Sequence, residues 1–394
     1  MKKIYLDYAA TTPCHPEVIE EMLPFFNQIY GNPSSVYQLA QKAKGAIEEA
    51  REKVARLLNA EPEEIIFTGG GTEADNMAIK GVAFANKKRG NHIITSRIEH
   101  HAVINTCKWL EKQGLKVTYI SVDKFGVIDL DELRKSLTDK TILISIMHAN
   151  NEVGTIEPIQ EIAKIARERG IYFHTDAVQT AGKVPIDVKE SGIDMLSLSG
   201  HKLYGPKGIG ALYVRKGVKI SPLIHGGHHE RNRRAGTENV PGIVGLGKAC
   251  EIASKEMANE EKRLRELRDK LYKGLNERID DIILNGHPHR RLPGILNICV
   301  KYVEGESMLI NLDLEGICVS SGSACTSGSL EPSHVLLAMG VPAEVAHGSL
   351  RFSLGRNTTQ KDIDRVISVL PSIVEKLRAI SPFGKEAKSK EYRG

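Results

Sequence analysis

The sequence predicts an α/β fold: a mostly parallel, doubly wound sheet of seven strands, followed by a smaller α/β unit. Three observations predict it. Short apolar runs recur through the first half of the chain. Stretches of helical periodicity separate most of them. Glycine is abundant, 36 of 394 residues, which suits the tight strand-to-helix turns of such a sheet.

The elements follow in order. Residues 43–58, "AKGAIEEAREKVARLL", place Ala43, Ile47, Ala50, Val54, Leu57 and Leu58 at helical spacing. The strand candidates are "EIIFT" (64–68), "HIITS" (92–96), "VTYIS" (117–121), "TILISIM" (141–147), "IYFHT" (171–175), "MLSLS" (195–199) and "GALYV" (210–214). The last two lie close together in sequence, which allows a local antiparallel pair. Residues 159–170, "IQEIAKIARERG", read as a helix between two of the runs. Residues 223–245 are rich in Gly, His and Arg and lack periodicity. Leu264, Leu267, Leu271, Leu275 and Ile279 then share one face of a long amphipathic helix. "ILNICV" and "RFSL" are strand candidates of the smaller unit. The expected division is a large domain over 14–250, a small domain formed by 1–13 with 251–382, and a charged, flexible tail over 383–394.

Composition excludes several classes. The chain is 41% hydrophobic and 26% charged, with a formal charge of +5. No basic run is interleaved with aromatic residues, so nucleic-acid binding is not expected. No apolar stretch reaches the length of a signal-peptide core or a membrane span, so the cytoplasm is the expected location. The six cysteines form no CxxC pair, which argues against a disulfide framework or a zinc knuckle. The histidines of "HGGHHE" and "HPHR" lack ligand spacing, and no resident metal is expected.

In a doubly wound sheet, ligands bind beyond the carboxyl ends of the strands. "GGGTEADN" follows the first run, "RIEHHAV" the second, "HANNEVG" the fourth, "DAVQT" the fifth and "GHKLYG" the sixth. The small residues of "TGGGTEADN" let backbone N–H groups approach a phosphate at a helix start, with Thr72 adding a hydroxyl; a plain N-cap is the alternative. Asp176 at a strand end is a helix cap or a counter-charge to a cationic ring nitrogen. Lys202 alone reads as a surface lysine. A lysine beside a phosphate site and an aspartate is, however, the arrangement of pyridoxal phosphate enzymes, where the amine forms a Schiff base and the ring stores electrons. Arg351 is a surface ion-pair partner or a fork for a substrate carboxylate. Cys325 sits among serines and glycines in "SSGSACTSGSL", a segment poorly built for core packing.

From "YLDYAATTP" to "RFSLGRNTT" the chain resembles the cysteine desulfurases of the NifS/IscS type, which have the type I pyridoxal phosphate-dependent transferase fold. "SLSGHKLYGPKG", "SGSACTSGSLEPSHVL" and "RRAGTEN" are the most specific pieces. The resemblance implies a role for each matching residue. Lys202 holds the cofactor. Asp176 pairs with its ring nitrogen, and Gln179 donates near its phenolic oxygen. His100 stacks on the ring and shuttles protons. Gly71, Thr72, Ser199 and His201 hold its phosphate, with Thr237 supplied by the other subunit of a homodimer. Asn151 and Arg351 bind the substrate carboxylate, Asn151 also facing the cofactor. Cys325 accepts the sulfur. The implied reaction takes L-cysteine to L-alanine and leaves a persulfide on Cys325. That sulfur passes to an iron–sulfur scaffold protein or another acceptor, for cluster assembly or tRNA thiolation. Cys325 could ligate an iron–sulfur cluster during transfer. A selenocysteine lyase, or another lyase or aminotransferase of the same fold, would share Lys202 and Asp176. The chain departs from the family at Tyr37, Ala40 and His228, where His, Gly and Gly are usual.

Overall fold

The computed structural model describes residues 3–321 and 331–380; Cys325 and the charged tail lie outside the described residues. The described strands, in chain order, are β1 (Ile4–Tyr5), β2 (Ile65–Thr68), β3 (His92–Ser96), β4 (Lys116–Ile120), β5 (Thr141–Ser145), β6 (Tyr172–Asp176), β7 (Met195–Ser199), β8 (Gly210–Val214), β9 (Ile282–Asn285), β10 (Ile295–Val300), β11 (Ile317–Cys318) and β12 (Ser349–Ser353). The seven apolar runs form one sheet in the order β2-β8-β7-β6-β5-β3-β4. Only β8 runs against its neighbours, β2 and β7, so the close pair "MLSLS"/"GALYV" is antiparallel. Both faces of the sheet are covered by helices. β3, β5 and β7 are therefore buried along their whole length, as continuous apolar runs require.

The smaller unit holds a three-stranded antiparallel sheet, β12-β10-β9, and the parallel pair β1-β11. Residues near the amino terminus thus pair with residues more than 300 positions later, Ile4 with Ile317 and Asp7 with Ser353.

The long helix runs from Val240 to Asn276 and links two apolar cores. Ile243, Leu246 and Ile252 pack in the core under the large sheet, whereas Leu271 and Leu275 pack with Leu350 and Phe352. The helix starts inside the stretch read as aperiodic, capped by the Asn239 side chain on Gly242 N–H at 3.1 Å. Glycine hides its period: a Cβ on Gly247 would meet Ala50 Cα at 2.6 Å, so close helix packing there demands the smallest residue rather than an apolar one. The helix ends before Ile279, which is still buried in the same core as Leu275.

Residues 225–239 are held against the large sheet by one buried ion pair. Arg51 meets Glu230 through Nη1–Oε2 at 2.9 Å and Nη2–Oε1 at 2.8 Å, and Phe67 N–H donates to Glu230 Oε2 at 2.8 Å. Glu230, Arg231 and Asn232 all take left-handed φ, 45°, 56° and 65°. Such backbone costs about 1–3 kcal/mol per residue and persists only where the surroundings fix it.

Candidate active site

β2, β3, β5, β6 and β7 run the same way, so Thr68, Ser96, Ser145, Asp176 and Ser199 end at one edge. At that edge the helix Gly71–Ala85 begins. Its first backbone bond runs from Ala74 N–H to Gly70 O at 3.1 Å, which leaves the N–H groups of Gly71, Thr72 and Glu73 without an acceptor inside the helix. A Cβ on Gly71 would meet Val178 Cγ2 at 2.6 Å and Ser199 Cβ at 3.5 Å. The cradle is therefore shaped by glycine, with the Ser199 side chain against it. Free N–H groups, a helix dipole and two hydroxyls make a seat for a phosphate. Glu73 braces the turn. It accepts Gly69 N–H at 2.8 Å and pairs with Arg234 Nε at 2.9 Å.

Beside this cradle stand Asp176, His100 and Lys202. Asp176 is buried; burial raises its carboxyl above the usual range, while His100 and Lys202 pull it back. His100 caps the helix His101–Lys112 by accepting Ala102 N–H on Nδ1 at 3.1 Å. Burial, then Lys202 and His101, push its imidazole below the ordinary value against the pull of Asp176. A neutral ring that accepts on Nδ1 carries its proton on Nε2. Lys202 Nζ donates to Ala9 O at 2.5 Å and Ala10 O at 2.7 Å. His201 meets Thr11 Oγ1 through Nδ1 at 3.1 Å and is pushed down to about 4, by burial first and then by Lys202, Lys207 and Lys183.

Gln179 lies on the same side, its Nε2 donating to Ala9 O at 2.9 Å. Its Oε1 accepts Lys183 Nζ at 3.2 Å. Lys183 is half-buried and pushed down to about 7, by burial first and then by the charges of Lys202 and Arg351. The unfolded chain keeps this amine protonated to about pH 10.4. Folding stability is therefore lost as pH falls from that value through the folded pKa of about 7. Replacing Lys183 by Met should relieve that loss. Thermal melts are expected to show the variant's relative gain in Tm larger at pH 6 than at pH 10. An equal difference at both values would refute the placement of a strained charge here.

Arg351 and Asn151 meet across 200 residues of sequence. Arg351 Nη1 donates to Asn151 O at 3.0 Å, Nη2 pairs with Asp7 Oδ1 at 2.8 Å, and Nε is buried without a hydrogen-bond partner among the described residues. A buried guanidinium with a spare donor suits a carboxylate ligand. Thr237 stands exposed on the 225–239 segment. Of the departures, Tyr37 is exposed, Ala40 is buried where a Cβ on Gly31 would meet its backbone N at 2.7 Å, and His228 Nδ1 meets Asn232 Oδ1 at 2.5 Å.

Sequence reasoning missed four contributors. Asp7 lies inside the quoted "YLDYAATTP" and was given no role. Lys183 sits four residues after Gln179, a spacing that could have flagged it. Glu152 follows Asn151 directly. His174 lies two residues before Asp176, on the same strand face. It is fixed by Ser145 Oγ and Ser197 Oγ, each at 2.9 Å, and burial pushes it down to about 3. Asp75 stands 3.7 Å from its Nε2, pushed well up by burial and then by Asp176. The site thus rests on a buried polar layer in which burial disfavours charge.

A phosphate-bearing pyridine aldehyde would fit this set, with the glycine cradle for its phosphate, the Asp176 carboxyl for its ring nitrogen and the Lys202 amine for its aldehyde carbon.

The sequence pattern of the family Aminotransferase class-V matches residues 4–366. The chain is 59% identical over 387 residues to the curated cysteine desulfurase IscS of Dictyoglomus turgidum, covering 98% of this chain and 98% of that protein. A solved NifS-like protein superposes with a TM-score of 0.90 at 41% identity, over 95% of this chain and all of that one. SspA, solved in complex with cysteine, gives a TM-score of 0.79 at 41% identity, over 89% of this chain and 98% of that one.

Proposed function

The chain belongs to the aminotransferase class-V family, and from that premise we propose its activity: it is a pyridoxal phosphate-dependent cysteine desulfurase. One observation carries the reading. Lys202, Asp176 and His100 lie within reach of each other's charge at one sheet edge, beside the helix start at Gly71.

Pyridoxal phosphate, when bound, supplies an electron sink for breaking the substrate α-C–H bond. The residues of the chain do the rest. The N–H groups after Gly70, with Thr72, Ser199 and His201, hold the phosphate, and Thr237 of a second copy adds to them. Asp176 keeps a positive charge on the ring nitrogen. Gln179, its Oε1 taken by Lys183 and one amide N–H given to Ala9 O, would offer its second N–H to the ring oxygen. Arg351 and Asn151 bind the cysteine carboxylate. Lys202 takes the α-proton. His100 holds its proton on Nε2, because Nδ1 is committed to Ala102 N–H, and so serves first as a donor. The Cys325 thiolate attacks the sulfur of the substrate. The Cβ–S bond breaks, its electron pair stays with carbon and is protonated, and an S–S bond forms. L-Cysteine and the enzyme thiol become L-alanine and an enzyme persulfide, with no external oxidant or reductant.

The persulfide sulfur goes to an iron–sulfur scaffold protein or another acceptor, in the cytoplasm. No helix among the described residues is long and apolar enough to cross a membrane. A homodimer is supported by the exposed apolar side chains of Leu23, Phe26, Tyr30 and Val36, the last 92% exposed. We divide the chain into 14–250 and 1–13 with 251–382.

The test is alanine and sulfide release by the cofactor-loaded protein, with L-cysteine and L-selenocysteine measured side by side. Alanine formation from L-cysteine that requires added thiol to turn over supports the reading. Activity confined to L-selenocysteine would replace it with a selenocysteine lyase.

A further inference from the structure

We propose that Glu152 is a positioning residue for the sulfur-accepting step: its carboxyl fixes the outgoing end of the span that carries Cys325 in register with the substrate carboxylate site. The inference rests on the assignment of Cys325, Asn151 and Arg351 above.

The incoming end of that span is fastened to Arg351, and the outgoing end to Glu152, the residue after Asn151. On the incoming side, Ser320 and Arg351 exchange backbone hydrogen bonds, Ser320 N–H to Arg351 O at 3.2 Å and Arg351 N–H to Ser320 O at 2.7 Å. On the outgoing side, Ser333 Oγ donates to Glu152 Oε2 at 2.5 Å, with Ser333 4% and Glu152 5% exposed. Ser333 also caps the helix His334–Ala338, its Oγ accepting Val335 N–H at 3.2 Å and Leu336 N–H at 3.3 Å.

A serine hydroxyl has one proton and two lone pairs. Here the lone pairs go to the helix and the proton to Glu152. The cap itself needs only the lone pairs, so Glu152 is not required for it. Glu152 is in turn fixed to the substrate site. Its N–H donates to Asn150 Oδ1 at 2.8 Å, and its carbonyl accepts Asn297 Nδ2 at 3.2 Å. The preceding carbonyl, that of Asn151, accepts from Arg351. Burial drives the Glu152 carboxyl up to about 7, with Ser333 and Arg351 working against it. An apolar residue would occupy the place at lower cost. The carboxyl instead joins two segments 181 residues apart. Cys325 lies eight positions before Ser333. The position of Ser333 therefore limits where the thiol can be delivered, and a misplacement of about 1 Å at a reacting atom can cost on the order of 100-fold.

The experiment compares two rates in cofactor-loaded enzyme: exchange of the cysteine α-proton with D2O, and persulfide formation on Cys325 read by mass. Glu152→Ala is expected to slow persulfide formation about 10- to 100-fold while α-proton exchange stays within about 3-fold. Glu152→Gln keeps an acceptor for Ser333 and should recover most of the loss. Should Glu152→Ala fail to fold, Ser333→Ala should give the same split. Unchanged persulfide formation in Glu152→Ala, an equal fall in both rates, or no rescue by Gln would each overturn the proposal. Cys325→Ala runs alongside. If it makes alanine at the full rate, the assignment of Cys325 fails. If it is inactive while Glu152→Ala is fully active, only the role of Glu152 fails.

Discussion

Serine at position 325 is expected to stop alanine release from L-cysteine while the protein stays yellow with bound cofactor. The loss should be on the order of 1000-fold or more, because a hydroxyl cannot accept sulfur as a persulfide. The other thiols offer poor substitutes. Burial pushes Cys107 and Cys250 up to about 12 and Cys299 up to about 11, so all three stay protonated. Cys14 is also raised by burial. Cys318 is half-buried on β11, paired with Tyr5, and makes the informative control. Cys318→Ser should keep alanine formation. A Cys325→Ser enzyme that desulfurates at the full rate would refute the assignment.

Lys202→Ala should reduce turnover by roughly 100- to 10,000-fold or more, since it removes both the cofactor anchor and the group that takes the α-proton. Borohydride reduction of the wild-type protein, followed by peptide mass analysis, should find the cofactor fixed to Lys202. Lys183 is the rival amine. It is held down to about 7, partly by the charge of Lys202, and so is chemically competent near neutral pH. Its Nζ donates instead to Gln179 Oε1 at 3.2 Å. Cofactor recovered on Lys183 would reverse the two roles.

β2, β3, β5, β7 and β8 were legible because each is buried along its whole length. A continuous apolar run between polar turns leaves few alternatives. The cradle at Gly71 and the placement of Asp176 and Lys202 were legible for a related reason: the residue after each parallel strand arrives at the same edge. The start of the long helix was not. Its first turns use Gly245 and Gly247 to approach neighbouring elements, so close packing replaced the apolar period that marks a helix. Lys183 and Glu152 were missed because each looks like an ordinary surface charge in its own segment.

By itself, the sequence determined the sheet, the edge to which its polar residues point, and the chemistry those residues can perform. These follow from local periodicity and from the order of residues along each strand and turn. Tertiary structure alone decided which distant groups meet. Arg351 reaches Asn151 across 200 residues, and Ser333 reaches Glu152 across 181. No local pattern encodes such pairs. Their buried state, and with it the shifted charge of Lys183 and Glu152, exists only once the core has closed around them.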